Sequence, residues 1–239
     1  MKICSISDLH GNLVCYPSDY WKDLWECEVL FICGDILPLE VQHDMIKSIE
    51  WLTEEFIPWA ESLPVEKVFF IAGNHDFWFE RNDVAAHKLF PQSQKVTYLK
   101  NELVEYISSQ DSKTYKIFGS PYCKIFGLWA FMRSADLLIK KFNDIPENVD
   151  ILFTHDAPNL GTVGTILEEN HYSTNINAGN SILSEYILKK RPRYCFCGHI
   201  HSGNHNLEKI GDSNLANCSI LNEGYKIVYD PLYLRISKE

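Results

Sequence analysis

The chain has 239 residues, 46% of them hydrophobic and 23% charged, a globular composition that excludes disordered, collagen-like and low-complexity roles. At this length roughly 70% or more of the unfolded surface can be buried, so the core needs no disulfide or zinc staple. Asp and Glu number 32 against 22 Lys and Arg, a formal net charge of −10, which disfavours an extended nucleic-acid or anionic-membrane surface and suits a cation site.

Lys2–Ser7 reads as a short apolar strand that begins at once. Asp19–Glu28 carries Trp21, Leu24, Trp25 and Glu28 at helical spacing. Val29–Cys33 is a buried strand. Met45, Ile49, Leu52, Phe56, Trp59 and Leu63 predict a longer helix, with Pro58 expected to kink or end it early. Val65–Ala72 is a third buried strand, and the alternation points to parallel βαβ units. Val104–Ser108 and Tyr115–Phe118 read as an antiparallel pair around Ser109–Ser112. Ile151–Thr154 is another buried strand and Ala178–Lys190 a helix. Tyr194–Cys197, Ala216–Leu221, Tyr225–Tyr229 and Leu232–Ile236 are short strands, with a hairpin turn at Asn222-Glu223-Gly224. No linker or repeat interrupts the chain, so residues 1–239 read as one domain.

The eight cysteines do not form a secreted framework. Cys4, Cys33, Cys195 and Cys197 sit in apolar runs as small hydrophobes, and the Cys195/Cys197 spacing is not that of a zinc knuckle. With no signal peptide pattern and no membrane-length apolar run, the expected setting is the reducing cytoplasm.

Five buried strands each end in a polar cluster: Asp8-Leu9-His10-Gly11-Asn12, Gly34-Asp35, Gly73-Asn74-His75-Asp76, Thr154-His155-Asp156 and Gly198-His199-Ile200-His201. Each is ordinary alone. In an open α/β sheet, however, the carboxyl ends of strands converge on one crevice, so clusters far apart in sequence can share a site. Carboxylate, imidazole and amide donors suit a hard or borderline divalent ion such as Mn²⁺, Fe²⁺ or Zn²⁺. Asp8/His10 and His199/His201 are two apart and project the same way from an extended strand end. Of the other histidines, His43 and His87 read as surface residues, and His171 and His205 lie near enough to the pattern to be weighed as substrate contacts.

In this order, Asp-x-His, Gly-Asp, Gly-Asn-His-Asp, Thr-His and Gly-His-x-His resemble the calcineurin-like metallophosphoesterases. Gly119-Ser120-Pro121, Trp129-Ala130-Phe131, Arg191-Pro192 and Ala216-Asn217-Cys218-Ser219 are similar to a small metallophosphoesterase-domain subgroup, akin to class III cyclic-nucleotide phosphodiesterases. The resemblance implies a four-layer α/β/β/α sandwich of two mixed β-sheets flanked by helices. It implies two divalent ions, Mn²⁺ or Fe²⁺ before Zn²⁺, Co²⁺ or Ni²⁺. Asp8, His10, Asp35 and His201 would hold the first; Asp35 would bridge to the second, held with Asn74, His155 and His199. His75 would be the catalytic acid, and Asn12, Asn74 and His75 would face the substrate. The implied reaction is attack on phosphorus by a hydroxide held between the metals, with a small phosphodiester as substrate. A phosphomonoesterase or a non-catalytic scaffold is the alternative.

Three departures bear on this. Pro38 stands where many relatives carry an acid after Gly-Asp, leaving Glu40 or Asp76 as the carboxylate to orient His75. No Arg follows, and without that bidentate clamp a diester monoanion is favoured over a monoester dianion. Asp156 adds negative charge beside the second metal position. Phe77, Trp78, Phe79, Trp129 and Phe131 are candidates for stacking a nucleobase, although core packing accounts for such a run more simply.

Overall fold

The first strand, β1 (Lys2–Ile6), alternates its side chains between two apolar environments. In the computed structural model, which describes residues 1–166 and 176–238, it is followed by β2 (Val29–Ile32), α1 (Met45–Trp51), α2 (Ile57–Ser62) and β3 (Lys67–Phe70). Then come α3 (Phe77–Arg81), α4 (Asp83–Leu89), β4 (Val96–Tyr98), β5 (Glu102–Ile107), β6 (Thr114–Ser120), β7 (Cys123–Lys124) and β8 (Met132–Arg133). The chain continues through α5 (Ala135–Asn143), β9 (Ile151–Thr154), β10 (Thr165–Ile166), β11 (Ile176–Asn177), α6 (Ser181–Lys190) and β12 (Tyr194–Cys197). It closes with β13 (Glu208–Ile210), β14 (Ser213–Asn217) and β15 (Leu232–Arg235).

Two large mixed sheets result. The first has the order β15-β1-β2-β3-β4, parallel except for β15. The second has the order β13-β14-β12-β9-β6-β5, parallel in its centre with antiparallel edges. Ile3, Phe31 and Phe69 of the first sheet meet Ile117, Ile151, Phe153 and Phe196 of the second in one buried layer. The Phe31 ring lies 5.3 Å from that of Phe153. The opposite faces, Cys4, Ile6, Leu30 and Phe70 on one sheet and Leu152, Cys195 and Cys197 on the other, are covered by Phe56, Trp59, Phe142, Leu183 and Ile187 from the helices. Period-two alternation with both faces apolar is what a central strand of such a four-layer sandwich requires.

Local expectations met tertiary structure unevenly. The Asp19–Glu28 helix is not formed; only Leu24–Glu26 makes a short 3₁₀ turn. Trp21 Nε1 and Trp59 Nε1 each donate to Val14 O at 2.9 Å, so this segment is pinned as a loop. Pro58 does not end its helix. A π-helical turn, Leu52–Phe56, closed by the Ile57 N–H on Leu52 O, widens the ladder where the proline ring would clash. Tyr225–Tyr229 is a turn joined by a single Leu221–Ile227 bridge rather than a strand. The strand expected over Ala216–Leu221 lies earlier, as β14. Helix α6 starts at Asn180, whose side chain accepts from the Ile182 and Leu183 amides. Among the described residues, no helix is long and apolar enough to cross a membrane.

Candidate metal centre

Asp8, Asp35 and Asn74 follow β1, β2 and β3 of one sheet, and His155 and His199 follow β9 and β12 of the other. All lie at the carboxyl ends of parallel strands, where the two sheets open onto one cleft. The backbone kinks there: Asp8, His10, Asp35 and His199 have φ of 58°, 41°, 52° and 71°, a strained region for side-chain-bearing residues that clusters at functional sites. Gly73 is required by close approach, since a Cβ would meet the Asp35 amide nitrogen and the His155 ring at 2.6 Å.

Three groups of ligand atoms each lie within 4.8 Å of one another: Asp8, His10 and His201; Asp8, Asp35 and His155; and His10, Asp35 and His75. Asp8 and Asp35 each belong to two of them. Asn74 joins through its Oδ1, 2.9 Å from His155 Nε2. His199 flanks the groups, its ring 5.1 Å from that of His155 and its amide donating to Asp8 Oδ1 and Oδ2 at 3.1 and 3.0 Å. The groups thus gather Asp8, His10, Asp35, His155 and His201 of the expected ligands, with Asn74 against His155, and include His75 beside His10 and Asp35; His199 lines the same cleft but belongs to none of the groups.

The donors fit divalent cations. His155 faces only acceptors: Cys33 O at 2.8 Å from Nδ1, and Asn74 Oδ1 and, at 3.3 Å, Asp35 Oδ2 about Nε2. Nδ1–H on a carbonyl fixes the tautomer that aims a lone pair from Nε2. His201 repeats the device, with Nδ1 3.1 Å from Asn222 O and Nε2 3.5 Å from Asp8 Oδ1. Both ring nitrogens of His10 are buried without a hydrogen-bond partner, and Nε2 stands 3.6 Å from Asp35 Oδ2. An orphaned imidazole facing two carboxylates is explained by a cation between them.

Titration follows from the same packing. Burial would raise Asp8 and Asp35. The His201 hydrogen bond and charge reverse this for Asp8, and the charges of His155 and His75 reverse it for Asp35, so both are held well below the usual carboxylate range. Burial opposes charge on His155 and His201, yet Asp35 pushes His155 up to about 10 and Asp8 pushes His201 up to about 9. Burial dominates at His10, which falls to about 4. Without cations, the two imidazolium groups neutralise the carboxylates.

The group orienting His75 is neither Glu40 nor Asp76. His75 Nδ1 is 2.7 Å from Gln42 Oε1, a buried neutral amide. Glu40 is exposed. Asp76 accepts from the Gly73, Ile36 and Leu37 amides at 2.8, 3.1 and 2.9 Å, tying the loop after β2 to the loop after β3. Burial, with Asp35's charge, pushes Asp76 up to about 7 against those three donors. Asp156 is likewise structural in its contacts, accepting from the Lys124 amide and Asn180 Nδ2 at 2.9 Å each.

Other expected residues are distributed unevenly. Asn12 does not line the cleft; its Nδ2 donates to Leu9 O at 2.8 Å. Trp129 does line it, 4.5 Å from the His75 ring, whereas Phe77, Trp78, Phe79 and Phe131 are core. His43 is exposed, and His87, half-buried, pairs with Asp83 and Glu102. His205 stacks on Tyr229, with Nε2 3.1 Å from His201 O, and belongs to none of the groups; His171 lies outside the described residues. The sequence reading missed Gln42, Lys124, Phe126 and Tyr225. Tyr225 stands 4.9 Å from the His10 ring, and its turn residue Asn222 was the available signal.

These features define the class. The calcineurin-like phosphoesterase family model matches residues 1–203, and the chain belongs to that family, one of metal-dependent phosphoester hydrolases. Human metallophosphoesterase domain-containing protein 1 is 30% identical over 222 residues, covering 87% of this chain and 64% of the human protein. The chain thus spans under two thirds of that relative. A UPF0046 protein of Caenorhabditis elegans is 25% identical over 187 residues, 73% of this chain and 63% of that protein. In structure the chain is similar to TT1561 of Thermus thermophilus, with a TM-score of 0.54 at 14% identity over 90% of this chain and 88% of that one, a likeness of fold.

Proposed function

We propose that this chain hydrolyses a small phosphodiester at a pair of divalent cations, Mn²⁺ or Fe²⁺. The observation that carries the reading is the grouping of Asp8, His10, Asp35, His155 and His201, with Asp8 and Asp35 each shared between two groups, beside a histidine oriented by Gln42. Bound there, the cations supply positive charge for the phosphoryl oxygens and acidify water. Asp8 and Asp35 keep their charge for cations because the imidazoles hold their carboxyls ionised. Gln42 occupies His75 Nδ1 and leaves Nε2 as the free nitrogen at the cleft. From there a proton passes to the leaving oxygen as its bond to phosphorus breaks and a bond from a water oxygen forms.

A diester is favoured over a monoester by the cleft's cations. Among its described lining residues Lys124 alone is a Lys or Arg, and its Nζ donates to the carbonyls of Ala178 and Gly179. Arg133 is paired with Glu80 at 2.8 Å. Among the described residues, no guanidinium fork is offered to a dianion. A cytoplasmic setting belongs to the same proposal, supported by eight free thiols.

The test is a paired assay on metal-stripped protein reloaded with Mn²⁺, comparing bis-p-nitrophenyl phosphate with p-nitrophenyl phosphate and using Asp35→Asn as the control. Faster diester turnover that disappears in the variant is expected. Faster monoester turnover would reassign the chain as a phosphatase. No turnover across Mn²⁺, Fe²⁺, Co²⁺ and Zn²⁺ would leave a binding protein.

A further inference from the structure

The loop joining β7 to β8 runs Ile125-Phe126-Gly127-Leu128-Trp129. Ile125, Phe126 and Leu128 are 60%, 54% and 97% exposed. Single exposed apolar residues are ordinary; three large ones within four positions, next to the half-buried Trp129, form a patch that calls for an occupant. The patch is continuous with the metal centre. Phe126 and Trp129 line the cleft, their rings 5.1 Å from His199 and 4.5 Å from His75. The loop is anchored to the site at both ends: Ala130 N–H donates to Asn74 O at 3.0 Å, and Lys124 N–H donates to Asp156 at 2.9 Å. Ile166 and Ile200 add apolar lining elsewhere in the cleft. Its volume, about 510 Å³, is that of a pocket for a whole organic ligand rather than for a bare phosphate.

Charge narrows the occupant. Lys124 spends its ammonium on two carbonyls, while Asp35 and Glu223 also line the cleft. Among the described residues, a second anionic group beyond the reacting phosphorus would meet these carboxylates with no free Lys or Arg beside them. The formal net charge of −10 argues equally against an anionic lipid surface as the occupant.

We propose that the substrate is an amphiphilic phosphodiester, with one long apolar ester group that runs along Phe126 and Trp129 and spreads over Ile125 and Leu128. This rests on the phosphodiesterase reading for the position of phosphorus. Each methylene laid on the patch adds affinity, so partial burial of an octyl chain raises kcat/KM by about tenfold or more over a methyl group.

The experiment compares methyl p-nitrophenyl phosphate with octyl p-nitrophenyl phosphate, both below micellar concentration, on the Mn²⁺-loaded protein and on an Ile125→Ser/Leu128→Ser double variant. Both substituted side chains are largely in solvent, so the fold and the methyl-ester rate are expected to be unchanged. The octyl preference is expected in the parent and should shrink to within about threefold in the variant. Equal kcat/KM for the two esters in the parent would overturn the proposal, as would an octyl preference that survives both substitutions. A loss of self-association in the variant with ester selectivity intact would assign the patch to a second copy of the chain and overturn it too. Calorimetric binding of methyl and octyl esters of methylphosphonic acid is measured alongside. Should neither nitrophenyl ester turn over, the diesterase reading fails, yet tighter octyl binding lost in the variant still supports the apolar seat and equal binding refutes it.

Discussion

Replacing Gln42 by alanine removes the acceptor that holds His75 Nδ1 at 2.7 Å. The lost hydrogen bond is worth about 1 kcal/mol of stability. On the acid role proposed for His75, the larger consequence is catalytic. A positioned general acid contributes about 10²–10⁴ in rate, which bounds the loss from His75→Ala. Gln42→Ala keeps the imidazole but frees its ring, and about 1.4 kcal/mol of lost orientation corresponds to a tenfold fall in kcat. KM should change little, because Gln42 does not line the cleft. The decisive assay varies the leaving group. Bis-p-nitrophenyl phosphate departs as a stable phenolate and needs little acid, whereas a diester with a primary alkoxide leaving group, followed by phosphorus NMR, needs it fully. The tenfold loss is expected for the alkoxide and less than about threefold for the nitrophenolate. Gln42→Glu, which keeps an acceptor, should recover most of the rate. In a His75→Ala background the Gln42 substitution should have no further effect. An equal loss on both leaving groups, or additive losses in the double variant, would refute the assignment.

Cation binding should stabilise the fold: at 100 times Kd one site adds about 2.7 kcal/mol, so Mn²⁺ should raise the melting temperature by about 5–10 °C, an increment that a chelator removes and Asp35→Asn abolishes. Cation affinity should rise with pH from neutrality towards 9–10, because binding must displace protons from His155 and His201, whose metal-free values are pushed up to about 10 and about 9; titration calorimetry in buffers of different ionisation enthalpy should show proton release at pH 7, and an affinity flat from pH 6 to 9 would contradict this. Gly73→Ala should lose cation binding and several degrees of melting temperature, since its methyl group is driven into the Asp35 backbone and the His155 ring; unchanged thermal melting and calorimetric Mn²⁺ affinity would refute the packing. Glu28, 1% exposed, accepts from Tyr106, Ser108, Ser109 and Gln110 at the end of β2 opposite the cleft; Glu28→Ala should cost about 3 kcal/mol or more in urea unfolding with kcat unaltered.

The ligand clusters were legible because each is local: a polar run directly behind a buried strand, with the sheet supplying convergence. What was not legible depends on contacts between distant loops. Gln42 sits in the turn 38–42, where its amide donates to Pro38 O at 3.2 Å, and it reaches a histidine 33 positions away. The sequence showed only that the usual acid was missing, and nearby carboxylates were the natural substitutes. Asp76 is unavailable because three backbone donors already hold it. A strand is expected over Tyr225–Tyr229, yet Asn222 folds the chain back, its N–H donating to Lys226 O and its carbonyl accepting from the Tyr225 amide. That turn sets the tyrosine at φ 57° against His10. Helical spacing over Trp21–Glu28 failed for the same reason, since two indoles share one carbonyl on Val14.

The left-handed backbone at the ligands connects fold to chemistry. A strand that ran straight past Ser7 or Gly34 would carry its side chains to alternate faces of the sheet. The kinks at Asp8 and Asp35 instead place both carboxylates in one cleft. Hydrogen bonds beyond the strand ends hold them: Asp8 N–H on Gly34 O at 3.0 Å, His10 N–H on Asp35 O at 2.9 Å and Gly11 N–H on Ile36 O at 3.1 Å. Each such conformation costs about 1–3 kcal/mol for a residue other than glycine, and paired buried carboxylates add mutual repulsion. In the cation-free protein, protons on His155 and His201 offset that repulsion. Divalent ions held by these residues would supply that neutralising charge instead. Cation binding should therefore appear as proton release from His155 and His201 and as added stability.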